Sequence, residues 1–329
     1  MSRRALVLLG AAIALSGCSW FKSPNKDNVD PPAELTDFDQ SLPVEQLWKR
    51  DLGDGAGKAG LRLRPAFANG RIFASDIEGK VRALGADSGN EAWTADVGEG
   101  LGTTPGVGDD IVVVGTLDGV VVALGQDDGA ERWRTKVSSE VIAAPAVADG
   151  LVVVRSHDGR VFGLSAADGS RRWVFDRSVP LLSLRGNGPP VILGDTVYVG
   201  YDNGKVIAVK AEDGSLKWEQ SLAQSEGRTE LERMVDLDGD LAFDDSSVFG
   251  VTYRGQVGAV ARDNGRPLWA RDLSSYGGIA MSGNRMYVVD ADGVLWALDA
   301  NGGSTIWKQE GLLHRYLSSP AVVGDYVVV

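Results

Sequence analysis

A fifteen-residue pattern that returns six times without a gap constrains the fold of this chain more than any other feature. In each copy a Gly is separated by three residues from a small residue, which is followed directly by Leu or Val. Four further residues precede a second Gly, and three more precede a Trp. The six tryptophans are Trp93, Trp133, Trp173, Trp218, Trp269 and Trp307. They lie 38 to 51 residues apart, which is typical of propeller blades and similar arrays. The chain is therefore predicted to be one domain of repeated units.

Each repeat is predicted to form four short antiparallel strands, which we name A, B, C and D. Asp-Gly pairs such as Asp149-Gly150 and Asp158-Gly159 are hairpin signals, and the apolar runs between them are too short for helices. Residues 161–164 in strand C are apolar or small on both faces, so each sheet needs cover on both sides. A helical solenoid is excluded because no 3.6-residue periodicity is present. The sequence therefore predicts an all-β propeller of four-stranded antiparallel blades, with the small residue allowing close approach between blades. The Trp that ends each strand D is predicted to cap the junction to the next blade, with its N–H on a backbone acceptor.

The two ends of the repeat region are irregular. Trp48 lacks the preceding glycine pattern and resembles a lone strand D, so we expect it to complete the last blade and close the ring. Residues 319–329 repeat only strands A and B of a seventh unit. We therefore expect residues 46–329 to form an incomplete propeller, with apolar blade faces and the edge at residues 327–329 exposed.

The N-terminus resembles a lipoprotein export signal. Arg3 and Arg4 precede a short apolar run that ends in Leu-Ser-Gly-Cys18. We predict a signal peptide over residues 1–17, lipidation of Cys18, and a flexible tether over residues 18–45. The alternatives are an ordinary signal peptide followed by a chance cysteine, or a buried thiol. Because Cys18 is the only cysteine in the chain, no disulfide can stabilise the fold.

The remaining composition points away from catalysis and from nucleic acid. The formal net charge of -12 disfavours polyanionic partners. The two histidines, His157 and His314, have no metal ligand at suitable spacing. Residues 236–240 contain three aspartates but depart from a calcium loop, so an acidic loop is favoured over an ion site. We expect no cofactor, no metal and no catalytic residue.

Two consecutive links between blades are longer than the others, at residues 178–188 and 224–240. Both connect strand D of one blade to strand A of the next, so they are expected to be neighbours on one face. The first contains Leu181, Leu182, Leu184 and Arg185, and the second is acidic. This composition is typical of a protein-docking patch. The alternative is that the leucines fold inward as a local plug.

In these residues the chain resembles the BamB family, the propeller lipoproteins of the bacterial outer-membrane β-barrel assembly machinery. In that family the positions matched here by Leu182, Leu184, Arg185, Asp236 and Asp238 bind the POTRA domains of the barrel subunit BamA. The resemblance implies an eight-bladed ring at the periplasmic face of the outer membrane. It also implies a non-enzymatic scaffold that helps to present nascent outer-membrane proteins. Ser19, the residue after the lipidated cysteine, resembles the outer-membrane sorting class.

The sequence leaves two other function classes open. The tryptophan-docked repeat is shared with quinone-dependent alcohol dehydrogenases, which typically use a vicinal cysteine pair, a bound calcium and a catalytic aspartate. A single cysteine, already assigned to the anchor, cannot form that pair. The other possibility is a lipoprotein that binds some other periplasmic ligand through the central channel.

Overall fold

The computed structural model describes residues 30–37, 39, 42–53, 55–57, 60–177, 188–222 and 235–329, and these contain 26 β-strands. The strands are β1 (Ala66–Ala68), β2 (Arg71–Ser75), β3 (Lys80–Gly85), β4 (Glu91–Asp96), β5 (Gly106–Gly108), β6 (Ile111–Gly115), β7 (Val120–Gly125), β8 (Glu131–Lys136), β9 (Ala146–Ala148), β10 (Leu151–Arg155), β11 (Val161–Ser165), β12 (Arg171–Phe175), β13 (Val191–Leu193), β14 (Thr196–Gly200), β15 (Lys205–Lys210), β16 (Leu216–Ser221), β17 (Ala242–Phe243), β18 (Ser247–Val251), β19 (Gln256–Ala261), β20 (Pro267–Asp272), β21 (Ala280–Ser282), β22 (Arg285–Val289), β23 (Leu295–Asp299), β24 (Thr305–Gln309), β25 (Ala321–Val323) and β26 (Tyr326–Val328).

These strands form six antiparallel sheets of four consecutive strands each, followed by a two-stranded sheet of β25 and β26. The predicted propeller of four-stranded blades is therefore confirmed. Strand A of each blade faces the axis, since successive A strands such as β1, β5 and β9 contact one another. The fifth blade has the shortest A strand, β17, with two residues.

The hydrophobic cores lie between adjacent blades. One core joins Val113 and Val121 of the second blade to Val152 and Phe162 of the third. Burying each such side chain contributes about 1.5–3 kcal/mol relative to exposure. Each face of strands B and C meets a different neighbouring blade, and both faces are apolar for this reason.

The repeated Trp joins each blade to the next. Its indole N–H donates to a backbone carbonyl of the following blade at 2.8–3.1 Å; the acceptors are Gln126, Ala166, Ala211, Arg262 and Ala300. The second Gly of the pattern lies three residues after each acceptor and has a positive φ angle, in the left-handed region of backbone conformation. A Cβ on Gly169 would lie 2.4 Å from the Trp133 ring. The second Gly is thus required where an indole from the preceding blade stacks on the turn.

The small residue of the pattern has a different role from the one expected. The strand register places it opposite the Trp of its own blade, as in the pairs Ala123 with Trp133 and Gly163 with Trp173. A Cβ on Gly163 would lie 2.1 Å from Trp173. The small residue therefore makes room for the indole of its own blade, which leans across strand C.

Trp48 occupies the same kind of site on the first blade. Its N–H donates to the Ala86 carbonyl at 2.7 Å, and its ring lies over Gly89. Residues 43–50 nevertheless have no strand pairing among the described residues, so Trp48 docks as a repeat Trp without forming a strand D.

Trp307 departs from the predicted docking. Its side chain is 39% exposed, and no acceptor for its N–H lies in the described part of the chain. The following sheet, β25 and β26, supplies strands A and B but no C–D turn. The described residues after Trp307 therefore include no carbonyl and no Gly equivalent to those that receive the other tryptophans.

Candidate partner-docking surface

The links from strand D of one blade to strand A of the next, which include the two long ones, are expected on one edge of the ring. In an antiparallel four-stranded blade, the D–A links and the B–C turns fall on the same side, which we call the docking rim. Residues 178–187 and 223–234 lie outside the described residues, and with them the predicted Leu182, Leu184 and Arg185. Cys18 also lies outside them. Asp236 and Asp238 are described, and both precede β17 on the docking rim.

Leu237 fixes the segment that carries the two aspartates. Its side chain is 0% exposed and sits against Gly200 and Gly250, where a Cβ would lie 2.5 and 3.0 Å from the Leu237 methyls. The Leu237 N–H donates to the Tyr201 carbonyl at 3.3 Å, and the Asp236 carbonyl accepts from Tyr253 N–H at 2.9 Å. Leu237 was missed at the sequence level; its only signal there is an apolar residue inside an acidic segment.

Asp238 has an unusual electrostatic environment. Neither of its carboxylate oxygens has a hydrogen-bond partner among the described residues. Burial, together with the charges of Asp202 and Asp236, raises the pKa of Asp238 to about 8, against the opposing effect of Arg155 and Arg62. Near neutral pH this carboxyl is therefore largely protonated in the free protein.

A buried ion pair lies beside these aspartates. The Arg155 guanidinium donates to the Gly200 carbonyl at 2.8 Å and to Asp202 Oδ1 at 2.6 Å, and it lies over the Tyr201 ring at 4.7 Å. Both charged side chains are almost fully buried. Sequence reasoning missed this pair. The sequence signal for a buried pair is that Arg155 follows directly on Leu-Val-Val-Val. The structure shows that this whole strand, the arginine included, is buried.

Two further arginines reach this side of the ring from the segment before β1. Arg64 forms a bidentate pair with Asp240, with N–O distances of 2.6 and 2.9 Å. Arg62 Nη1 donates to the Tyr276 carbonyl at 2.5 Å. The first blade thereby contacts the links that enter the fifth and sixth blades. The largely buried acidic cluster of Asp202, Asp236 and Asp238 is thus bordered by cations of the same chain.

No group of three His, Cys, Asp or Glu side chains within the described ranges is arranged to hold a metal ion. Asp240, one of the three aspartates weighed for calcium, is paired with Arg64. His157 is half-buried and lies 3.9 Å from Glu140. The described residues also contain no helix long and apolar enough to cross a membrane.

Asp238→Asn is expected to change the pH dependence of stability. Because the folded-state pKa lies above the unfolded value of about 3.9, the folded protein binds an extra proton between pH 4 and 8. The wild-type free energy of unfolding should therefore fall as pH rises through this window and level off above it. Relative to Asp238→Asn, the wild type should lose about 2 kcal/mol of unfolding free energy between pH 5 and 9. This is less than the full pKa shift would give, because the Asp238 side chain is partly exposed.

Urea denaturation of both proteins across that pH range measures this difference. Asp263→Asn, on the opposite edge of the fifth blade, is the matched control and should follow the wild type. Parallel pH profiles for the wild type and Asp238→Asn would contradict the raised pKa.

A family model described as "Outer membrane protein assembly factor BamB" matches residues 44–105 and 77–309. The outer membrane protein assembly factor BamB of Pseudomonas aeruginosa is 47% identical over 322 residues, which cover 98% of this chain and 84% of that protein.

Solved structures agree with this similarity. The crystal structure of BamB from Moraxella catarrhalis superposes with a TM-score of 0.76 at 26% identity, covering 80% of each chain. A europium-containing methanol dehydrogenase matches with a TM-score of 0.55 at 15% identity, covering 75% of this chain and 68% of the other. At that identity the likeness to the dehydrogenase shows a shared fold alone.

Proposed function

The chain belongs to the family of outer membrane protein assembly factor BamB, and from this premise we propose that its docking rim binds the POTRA domains of BamA. Family membership makes it a non-enzymatic assembly factor that is associated with the outer membrane and with the assembly machinery. The proposal adds the surface, the partner domain and the residues: Leu182, Leu184, Arg185, Asp236 and Asp238.

The observation that carries the proposal is the rigid placement of Asp236 and Asp238 on the rim. Leu237 lies between them and is buried, so both carboxyl groups are held in position before a partner arrives. In the free protein Asp236 is only 1% exposed and the Asp238 oxygens are buried, so a partner group has to reach into the rim to contact them. Preorganised polar groups beside apolar anchors favour tight and specific association. The link that carries Leu182, Leu184 and Arg185 is likewise a D–A link, so blade topology assigns it to the same edge of the ring as the two aspartates.

Protonation of Asp238 makes binding at the docking rim depend on pH. Asp238 is largely neutral near pH 7 because of its burial and its acidic neighbours. A cation from the partner would favour the ionised form and lower the pKa of Asp238. Binding of a cationic partner group at this position therefore releases a proton and strengthens as pH rises toward 8.

The membrane link of the proposed complex is lipidation of Cys18. The cysteine follows an apolar run and Leu-Ser-Gly at the position where a lipobox requires it. A lipid at the mature N-terminus would hold the propeller at the periplasmic face of the outer membrane, with Ser19 consistent with sorting to that membrane.

Four single variants test the docking surface: Leu182→Ala, Leu184→Ala, Arg185→Glu and Asp236→Ala. Each should reduce co-purification with BamA from detergent-solubilised envelopes. Truncated anchors cost on the order of 2 kcal/mol, about thirtyfold in affinity. Arg185→Glu should be the most severe, because it adds a negative charge among acidic neighbours.

Asp263→Ala and Arg266→Ala are the matched controls, since both lie in the C–D turn of the fifth blade on the opposite edge. They should co-purify as the wild type does. Far-UV circular dichroism and melting curves report whether each variant is folded. Undiminished binding in all four docking variants, or loss only together with the fold, would refute the proposed surface.

A further inference from the structure

The link between β24 and β25 folds back onto the N-terminal segment of the chain. The Ala33 N–H donates to the Leu313 carbonyl at 3.0 Å. The Arg315 Nε and Nη2 atoms both donate to the Ala33 carbonyl, at 3.0 and 2.5 Å. Both backbone polar groups of Ala33 are therefore bound by the same link, at a separation of 282 residues in sequence.

The same link is itself held in a specific shape. His314 Nδ1 lies 3.2 Å from the Pro31 carbonyl, and the His314 N–H donates to the Asp292 carbonyl at 2.6 Å. His314 and Tyr316 have positive φ angles of 59° and 43°, which residues with a Cβ adopt rarely. The surrounding contacts over-determine such a backbone, a feature of segments that hold a ligand or another part of the chain.

The contact between the N-terminal segment and the link lies on a specific edge of the ring. The link from β24 to β25 is a D–A link, and the Asp292–Gly293 turn on which it packs is a B–C turn. Both lie on the docking rim. The N-terminal segment therefore meets the propeller on the same edge as Asp236 and Asp238.

We propose that residues Leu313–Arg315 are a clamp that fixes where the membrane tether leaves the propeller, so that a lipid bilayer holds the molecule from its docking rim. The membrane part of this inference rests on the proposed lipidation of Cys18. The clamp itself is independent of that modification, because its contacts involve only Pro31, Ala33 and the link.

The clamp shortens the reach of the anchor. Pro31 lies thirteen residues after Cys18, and a chain of that length spans at most about 45 Å. Trp48, whose indole is hydrogen-bonded to the first blade, lies thirty residues after Cys18, and a chain of that length allows about 100 Å. The clamp therefore allows roughly half the distance between the lipid anchor and the propeller that a tether ending at Trp48 would allow.

Two measurements on the lipidated full-length protein in phospholipid vesicles test the clamp. The first is amide hydrogen exchange over residues 33–37. The second is energy transfer from a dye on Glu78→Cys, an exposed position in a B–C turn of the rim, to acceptor lipids. In the wild type we expect slow exchange at Ala33 and efficient transfer.

Arg315→Ala should speed exchange at Ala33 at least tenfold and lower the transfer efficiency. Arg285→Ala, an exposed arginine on the opposite edge of the same blade, is the matched control and should change neither. Ala33→Pro removes the donor to Leu313 without altering any blade, and should lower transfer even if Arg315→Ala is unstable. Asp37→Pro is its control outside the clamp.

Different results would overturn the clamp and the lipid anchor. Exchange at Ala33 as fast as in an unstructured peptide, or identical behaviour of Arg315→Ala and the wild type, would overturn the clamp. An unacylated Cys18 in the intact mass of the membrane-derived protein would overturn the anchoring role. In that case the exchange measurement would still decide whether the link binds Ala33.

Discussion

Trp133→Ala is expected to lower the free energy of unfolding by about 3–5 kcal/mol. The Trp133 side chain is 7% exposed and lies in the core between the second and third blades. Its N–H donates to the Ala166 carbonyl at 2.8 Å, and its ring stacks on Gly169. Truncation removes this apolar contact, leaves a cavity and orphans a backbone acceptor between two blades.

Trp307→Ala provides the matched control, because the same residue type at the same repeat position is 39% exposed and has no described acceptor. It should cost clearly less than Trp133→Ala, about 1–2 kcal/mol, because more of its ring already lies in water and no backbone acceptor loses its donor. Urea denaturation followed by tryptophan fluorescence and by circular dichroism measures both variants. Equal losses for Trp133→Ala and Trp307→Ala would contradict the conclusion that docking onto the next blade is the source of the stability.

Arg155→Met should cost a similar amount, about 3–5 kcal/mol, for an electrostatic reason. Removing the guanidinium leaves the Asp202 carboxylate buried between the third and fourth blades without its cation. The Gly200 carbonyl also loses its donor. The desolvation cost of an unpaired buried charge exceeds the value of the pair that was lost.

The double variant Arg155→Met with Asp202→Leu separates these two effects. With both charges gone, most of the lost stability should return, since a buried pair replaced by apolar residues is often close to neutral. Arg132→Met breaks the surface pair with Asp128 and should cost less than about 1 kcal/mol. A double variant no more stable than Arg155→Met would show that geometry, and not unpaired charge, causes the loss.

The same pair bears on the docking surface. Arg155 opposes, and Asp202 supports, the raised pKa of Asp238. Removing Asp202 should therefore lower the pKa of Asp238 toward its usual range, and removing Arg155 should raise it further. The buried pair thus influences the charge that the rim presents to a partner at a given pH.

The sequence by itself determined the blades of this protein. The spacing of two glycines, a small residue and a Trp predicts four-stranded units, because strand alternation and turn chemistry are local and depend on few neighbours. The Asp-Gly turns and the Val-rich strands lie where the pattern places them. Even the acceptor for the indole N–H was predicted in kind, since a buried indole requires a backbone partner.

Only the tertiary structure decided how the repeated residues are used. Register within a blade places the small residue against its own Trp, whereas packing between blades places the second Gly under the preceding Trp. The Arg155–Asp202 pair, the burial of Leu237 and the binding of Ala33 to Leu313 join residues that are distant in sequence or lie on different blades. Burial and the charges around a side chain are set by the folded ring, and so is the raised pKa of Asp238. A local pattern specifies a strand or a turn, but the environment of a side chain depends on which blades are brought against it.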